Sequence, residues 1–221
     1  PEGLIKPFDV NKDLYYTLDI EDGRVREIQI NPEEPGIQNL SLNIYIIERE
    51  LLISQISAAF VRGYVYFERD ILAPQLDKLN VRGYKFGGYI ARISSIKSYF
   101  DENMKLLDEE NLDALFGGNH IYTKIRDDNP TRYIKGAKAK NIMAADGCII
   151  EGEVENSVLF RGVRVGKGAK VKNCVLMQDT VIEPGVNVEY IISDKNVTIT
   201  ADKEIKGTDS FPVYVAKYQV V

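Results

Sequence analysis

"GCIIEGEVENSVLFRGVRVGKGAKVKNCVLMQDTVIEPGVNVEYIISDKNVTI", residues 147–199, decides the fold of this chain. An aliphatic residue recurs at short, uneven spacings, mostly four to six: Ile149, Val154, Val158, Val163, Val165, Val171, Val175, Val181, Val186, Ile191 and Val197. Gly, Asn and Asp stand between them, the residues that accept tight-turn backbone most readily. This is an imperfect hexapeptide repeat, and such a repeat predicts a parallel β-helix with the aliphatic side chains pointing into a narrow core. Three hexapeptides close one coil, so residues 141–200 predict roughly three coils. A Val-rich antiparallel domain is the alternative, but it would show longer runs with strict alternation.

Working outward, the part before the repeats reads as mixed α/β. "LYYTLDI" (14–20), "EDG" (21–23) and "RVREIQI" (24–30) predict a hairpin, since Asp-Gly favours tight turns. "LNIYII" (42–47) predicts a short buried strand, and "ERELLISQISAAF" (48–60) has helical spacing. "ERDILAPQL" (68–76) predicts a short helix disturbed by Pro74, and "VRGYKFGGYI" (81–90) a returning strand. A helix follows Ser94 and Ser95, and "DEENLDALFGG" (108–118) predicts a last short helix ending at its glycines. The fold class is therefore α/β followed by all-β. The expected division is an α/β domain over 1–117, a linker over 118–140 and a β-helix over 141–221.

Composition bounds the function. The chain has 221 residues, 44% hydrophobic and 28% charged, with a formal net charge of -5. That suits a globular protein with a core and makes nucleic acid an unattractive partner. Charge is uneven: residues 1–117 carry thirteen basic and twenty acidic residues, and residues 118–221 fifteen and thirteen. Two cysteines, Cys148 and Cys174, make no disulfide framework and fit a reducing cytoplasm. Both sit in repeats beside aliphatic residues, where core packing explains them. The apolar stretch at 44–60 is interrupted by Glu48, Arg49 and Glu50, so neither a membrane span nor a membrane partner is expected. No signal peptide opens the sequence, which starts at Pro1 and reads as a fragment of something longer.

The segment "KIRDDNPTRYIKGAKAK" (124–140) carries six basic residues against two acidic ones. It reads as a solvated connector or as an anion site, with Arg126, Arg132, Lys135, Lys138 and Lys140 as candidate ligands for a phosphorylated regulator. His120, the single histidine, precedes the repeats and reads as a linker or capping residue. "VGKGAK" (165–170) is rich in Gly and Lys, but a phosphate loop would need a helix after it.

One turn stands out. In "GYIARISSIKSYFDENMKLL" (88–107) a strand end meets a helix start, the place where α/β enzymes usually put a catalytic group, yet the charged residue there is Arg92. This stretch, the "EDGRV" hairpin and "ADGCIIEGEVENSVLFRGVRVGKGAKV" resemble bacterial glucose-1-phosphate adenylyltransferases over nearly the whole chain. The resemblance implies a partial Rossmann-like nucleotidyltransferase domain joined to a left-handed β-helix. Where that family has Glu-Lys-Pro after the hairpin, with the lysine on the sugar phosphate, this chain has Ile30, Asn31 and Pro32. Where the family has Asp-Phe-Gly, it has Tyr66, Phe67 and Glu68. Where the family has Gly-Tyr-Trp-x-Asp, with the aspartate on the metal, it has Ile90 and Arg92.

A guanidinium supplies no oxygen to magnesium and repels it, and an asparagine forfeits the charge of the phosphate-binding lysine. The resemblance therefore implies a GlgD-type, non-catalytic or regulatory subunit with Asn31, Tyr66 and Arg92 as degenerate catalytic positions. It implies no cofactor and no metal site in this chain. Mg²⁺ and ATP would belong to a catalytic adenylyltransferase subunit, the expected partner in a hetero-oligomer unless the chain self-associates. By the same resemblance, glycolytic sugar phosphates are the expected effectors. The rivals are an active nucleotidyltransferase, opposed by the three substitutions, and a hexapeptide-repeat acyltransferase, opposed by the lack of a histidine within the repeats.

Overall fold

The computed structural model describes residues 15–32, 39–118, 121–123 and 125–221. The chain divides into two compact units, Pro1–Gly87 and Gly88–Val221.

In the first unit, β1 (Tyr16–Glu21) and β2 (Arg24–Ile30) form the expected hairpin. Asp22 and Gly23 both take positive φ, 51° and 75°, the geometry that lets a two-residue turn match strand twist. β3 (Asn39–Leu40) pairs with the other edge of β1. Helix α1 (Arg49–Arg62) follows and stops at Gly63, whose left-handed φ of 70° turns its N–H back onto the last carbonyls. Around Pro74 the short helix is indeed disturbed: a π-helical turn at Phe67–Leu72 gives way to a 3₁₀ turn at Ala73–Gln75. Ile71, Leu72 and Leu76 are buried in this unit, as are Tyr16, Val25 and Ala59.

Two expected strands are absent. Residues 42–47 are irregular, with Ile44 80% and Ile46 fully exposed. An apolar run becomes a buried strand only if neighbours pair and cover it, and no described strand adjoins this one. The 81–90 segment keeps a single bridge, Arg82 to Arg24, beside a hydrogen bond from Val25 N–H to Val81 O. Gly83, Gly87 and Gly88 offer a ladder no side chains to pack.

The second unit opens with α2 (Ile96–Lys105) and α3 (Glu109–Phe116). Ser95 caps α2: its Oγ accepts the Ser98 N–H at 3.0 Å, and Ser98 Oγ accepts the Ser95 N–H at 2.8 Å. Asp108 caps α3 with its carboxylate, which accepts from Glu110 N–H at 2.9 Å. The glycine end of α3 is as expected, at Gly117.

The β-helix follows, with five parallel strands on each of three faces. The first face stacks Arg132–Tyr133, Ile149–Ile150, Arg164–Val165, Val181–Ile182 and Thr198–Ile199. Lys138–Ala144 and Glu153–Leu159 each bend at an asparagine, Asn141 or Asn156, and so serve both remaining faces. Lys170–Lys172, Asn187–Glu189 and Glu204–Lys206 complete the second face. Val175–Leu176, Ile191–Ser193 and Val213–Val215 complete the third. The stack thus starts at Arg132, not Asn141, and holds more than three coils, because each new rung templates on the edge of the last. One-residue asparagine corners explain why the hexapeptide is imperfect. Asn141, Asn156 and Asn173 all sit near φ 50°, a conformation asparagine tolerates, and their amides form a ladder of 2.6 and 2.7 Å bonds.

Ile150, Val165, Ile182 and Ile199 stack inside the first face, each at most 1% exposed. Each such burial stabilises by about 1.5–3 kcal/mol. Polar side chains inside the coils pair with one another, as with Thr180 Oγ1 and Ser193 Oγ at 2.9 Å. Rungs lie too close for side chains at some corners: a Cβ on Gly152 would meet Ala169 O at 2.4 Å.

Candidate functional site

The outer surfaces of the three faces differ, and that decides where a ligand could sit. On the second face the outward residues alternate in charge over the first three rungs. Lys138 pairs with Glu153 at 2.6 Å and Lys140 with Glu155 at 3.1 Å, with Lys170 and Lys172 next in register. The lysines beside Glu153 and Glu155 hold both carboxyls below the usual carboxylate range. The third face is apolar outside and is covered by α2: Val175 and Ile192 are buried against Phe100, Tyr99 and Met104.

The first face has a cleft of about 420 Å³, lined by Arg126, Asp128, Arg132, Arg164 and Asp179 among others. Arg126 lies across two carboxylates. Its Nη2 donates to Asp128 Oδ1 at 3.1 Å, and its Nη1 is 3.5 Å from Asp179 Oδ2. Asp128 Oδ2 is buried 2.9 Å from Arg126 Nε without hydrogen-bond geometry. Asp128, then Asp179, raise the guanidinium pKa further, so Arg126 is permanently charged and largely neutralised. Arg132 and Arg164 project from the same column of the sheet with Ile149 between them, about 10 Å apart at the backbone. Both are exposed, and neither has an ion pair among the described residues. Three arginines against two aspartates leave the cleft electropositive.

The five cationic candidates are therefore dispersed. Arg126 and Arg132 meet in the cleft. Lys135 is exposed on the turn that leaves the first face, and Lys138 and Lys140 belong to the charge ladder of the second. Arg164 and Asp179 went unnoticed in the sequence. The signal was there in the rung lengths, seventeen residues from Arg132 to Ile149 and fifteen from Ile149 to Arg164.

Asn31 and Tyr66 lie in the first unit, Arg92 in the second. Asn31 closes the hairpin: at φ 45° its Oδ1 accepts the Tyr15 N–H at 2.9 Å and its own N–H reaches Tyr15 O at 3.0 Å. Tyr66 lies under the Arg69 guanidinium, 4.3 Å from its ring centre, and its N–H donates to Asp70. Beside it, Glu68 accepts a short hydrogen bond from Tyr45, whose phenol is pushed up by burial and then by that bond. Arg92 is exposed. Among the described residues no three His, Cys, Asp or Glu side chains gather into a group that could hold a metal ion.

Cys148 and Cys174 are fully buried and unpaired. Burial pushes the Cys174 thiol up to about 12, and the Cys148 thiol is raised for the same reason. Both are packing residues. "VGKGAK" is a β-helix turn with no helix after it, and His120 lies outside the described residues. No helix among the described residues is long and apolar enough to cross a membrane.

Residues 125–211 match the family model described as GlmU-like, C-terminal hexapeptide. The chain is 37% identical over 195 residues to the glycogen biosynthesis protein GlgD of Bacillus subtilis (strain 168), covering 88% of this chain and 57% of that protein. It is 33% identical over 173 residues to a glucose-1-phosphate adenylyltransferase of Clostridium perfringens (strain 13 / Type A), covering 74% of this chain and 42% of that one. A GlgD of Geobacillus stearothermophilus is 53% identical over 70 residues, 31% of this chain and 20% of that protein. The chain thus spans about half the length of the curated relatives it matches over most of its own residues. An α/β unit followed by a left-handed, hexapeptide-repeat β-helix, aligned with GlgD and with adenylyltransferases alike, makes this chain similar over most of its length to glucose-1-phosphate adenylyltransferases and to GlgD proteins.

Proposed function

We propose that this chain is part of a catalytically impaired, regulatory subunit that serves glycogen biosynthesis in the cytoplasm, paired with a catalytic glucose-1-phosphate adenylyltransferase subunit. The glycogen role is supported by the names of the relatives, two of them glycogen biosynthesis proteins. The impairment is carried by Arg92, a cation at the turn where the resemblance expects a metal-binding acid. Asn31, tied to the backbone of Tyr15, adds to it by holding the place of the phosphate-binding lysine. On this reading the catalytic partner binds Mg²⁺ and ATP, and this chain contributes assembly and control. The first-face cleft is the proposed effector site, with Arg132 and Arg164 as cations for a phosphorylated metabolite and Arg126 held between them and the aspartates.

The experiment is an assay of the full-length gene product with ATP, glucose 1-phosphate and Mg²⁺, alone and co-expressed with the catalytic subunit of the same genome. Alone it should form no ADP-glucose above a blank, and it should co-elute with the catalytic subunit on size exclusion. ADP-glucose formation by the protein alone overturns the impairment, and separate elution at every salt concentration overturns the pairing. In the heteromer, changing Arg132 and Arg164 to Ala should raise the half-saturating concentration of an activating sugar phosphate. An unchanged value removes the cleft from the regulation.

A further inference from the structure

A groove of about 470 Å³ lies between α2 and the asparagine corner of the β-helix. Three features of it are unexplained by the packing alone. The amide ladder ends there. Asn173 is 7% exposed, and its Oδ1 accepts from Asn156 Nδ2, but its own Nδ2 lines the groove without a hydrogen-bond partner among the described residues. That N–H group faces the groove and can donate to whatever fills it.

The next residue of the same column is not asparagine but Tyr190, at φ 53°. Bulky side chains avoid this conformation, and the strain is kept where the ring has a task. The ring borders the groove and lies tilted on Phe100, 6.1 Å between centres. Phe100 fixes it from the α2 side, which leaves a braced aromatic surface.

The rim is acidic. Asp101, Glu102 and Asp209 contribute carboxylates. Lys97 pairs with Asp101, and Glu102 accepts from Lys105 and Tyr89, so three carboxylates stand against two lysines. That excess of one negative charge disfavours phosphate, and the carboxylate oxygens can accept hydrogen bonds from hydroxyls.

We propose that this groove binds a neutral pyranose: ring C–H groups on Tyr190, one hydroxyl accepting from Asn173 Nδ2, and others donating to the rim carboxylates. A free hexose and the end of a glucan chain share this chemistry. The site is separate from the first-face cleft, and its test is independent of the proposed regulatory role.

The test is ligand-observed saturation-transfer NMR on the full chain with glucose, maltotriose and inorganic phosphate, alongside the Asn173 side-chain amide resonance. One of the two sugars should bind and shift that resonance, glucose marking a free hexose site and maltotriose alone a glucan end, and phosphate should do neither. Tyr190→Phe keeps the surface and should bind as the native chain does. Tyr190→Asn restores the corner residue of the neighbouring rungs, so it should fold, and should weaken binding by at least about tenfold. Failure of both sugars to bind, binding of phosphate at Asn173, or native affinity in a folded Tyr190→Asn chain overturns the proposal.

Discussion

Asparagine at a left-handed corner does two jobs, and they can be separated. Asn156 takes φ 49°, accepts from Asn141 Nδ2 and donates to Asn173 Oδ1. Asn156→Ala loses both bonds and keeps an unfavourable φ, so it should destabilise the β-helix by about 2–3 kcal/mol. Asn156→Gly loses the same bonds but tolerates the conformation, and should cost about 1 kcal/mol less. Chemical denaturation of the two variants reads the difference directly. Equal stabilities would mean that the corner strain is negligible and the ladder alone matters.

Among the elements, the charged second face makes the clearest demand on conditions. Glu153, Glu155 and Glu204 have carboxyls held below their ordinary value of 4.5, by Lys138, Lys140 and Lys206 respectively. A depressed carboxyl stabilises the fold above its unfolded value and loses that contribution as pH falls through the folded one. Melting temperature should therefore hold steady from neutral pH to about 5 and drop as the medium is taken below 4.5, with a smaller drop for Lys138→Met combined with Lys140→Met. Because the pairs are exposed, added salt should shrink the difference between native and variant. An acid limb identical in both proteins would mean that other carboxylates control it. On the α2 side the packing of Phe100 on Val175 and Ile192 is apolar and does not titrate.

At the level of the whole chain, the two units are held by different means. The β-helix buries a continuous aliphatic column. The first unit leaves Ile44, Ile46, Phe60 and Val61 largely exposed. A side chain that is already in water loses nothing by becoming charged. Ile46→Lys in this chain should change stability by no more than about 0.5 kcal/mol, measured by denaturant midpoint. A large loss would show that Ile46 is packed in solution.

Local rules were enough wherever the deciding contacts are near in sequence. Asp22-Gly23 announced its turn, Ser95 its cap, Gly117 its helix end, and the valine spacing announced a coil, because each depends on backbone preferences within a few residues. The substitution of Arg92 for an acid is likewise visible without coordinates. Tertiary structure decided the rest. Ile44 and Ile46 have the composition of a buried strand, but burial belongs to the neighbours a strand acquires, which its own residues do not encode. Arg132 and Lys138 are six residues apart, yet one turn of the β-helix sends the first to a cleft beside Arg164 and the second to an ion pair with Glu153. Charge clustering along a chain becomes a site only when the rungs align it, and that alignment depends on coil lengths of seventeen and fifteen residues that stack Arg132, Ile149 and Arg164 in one column.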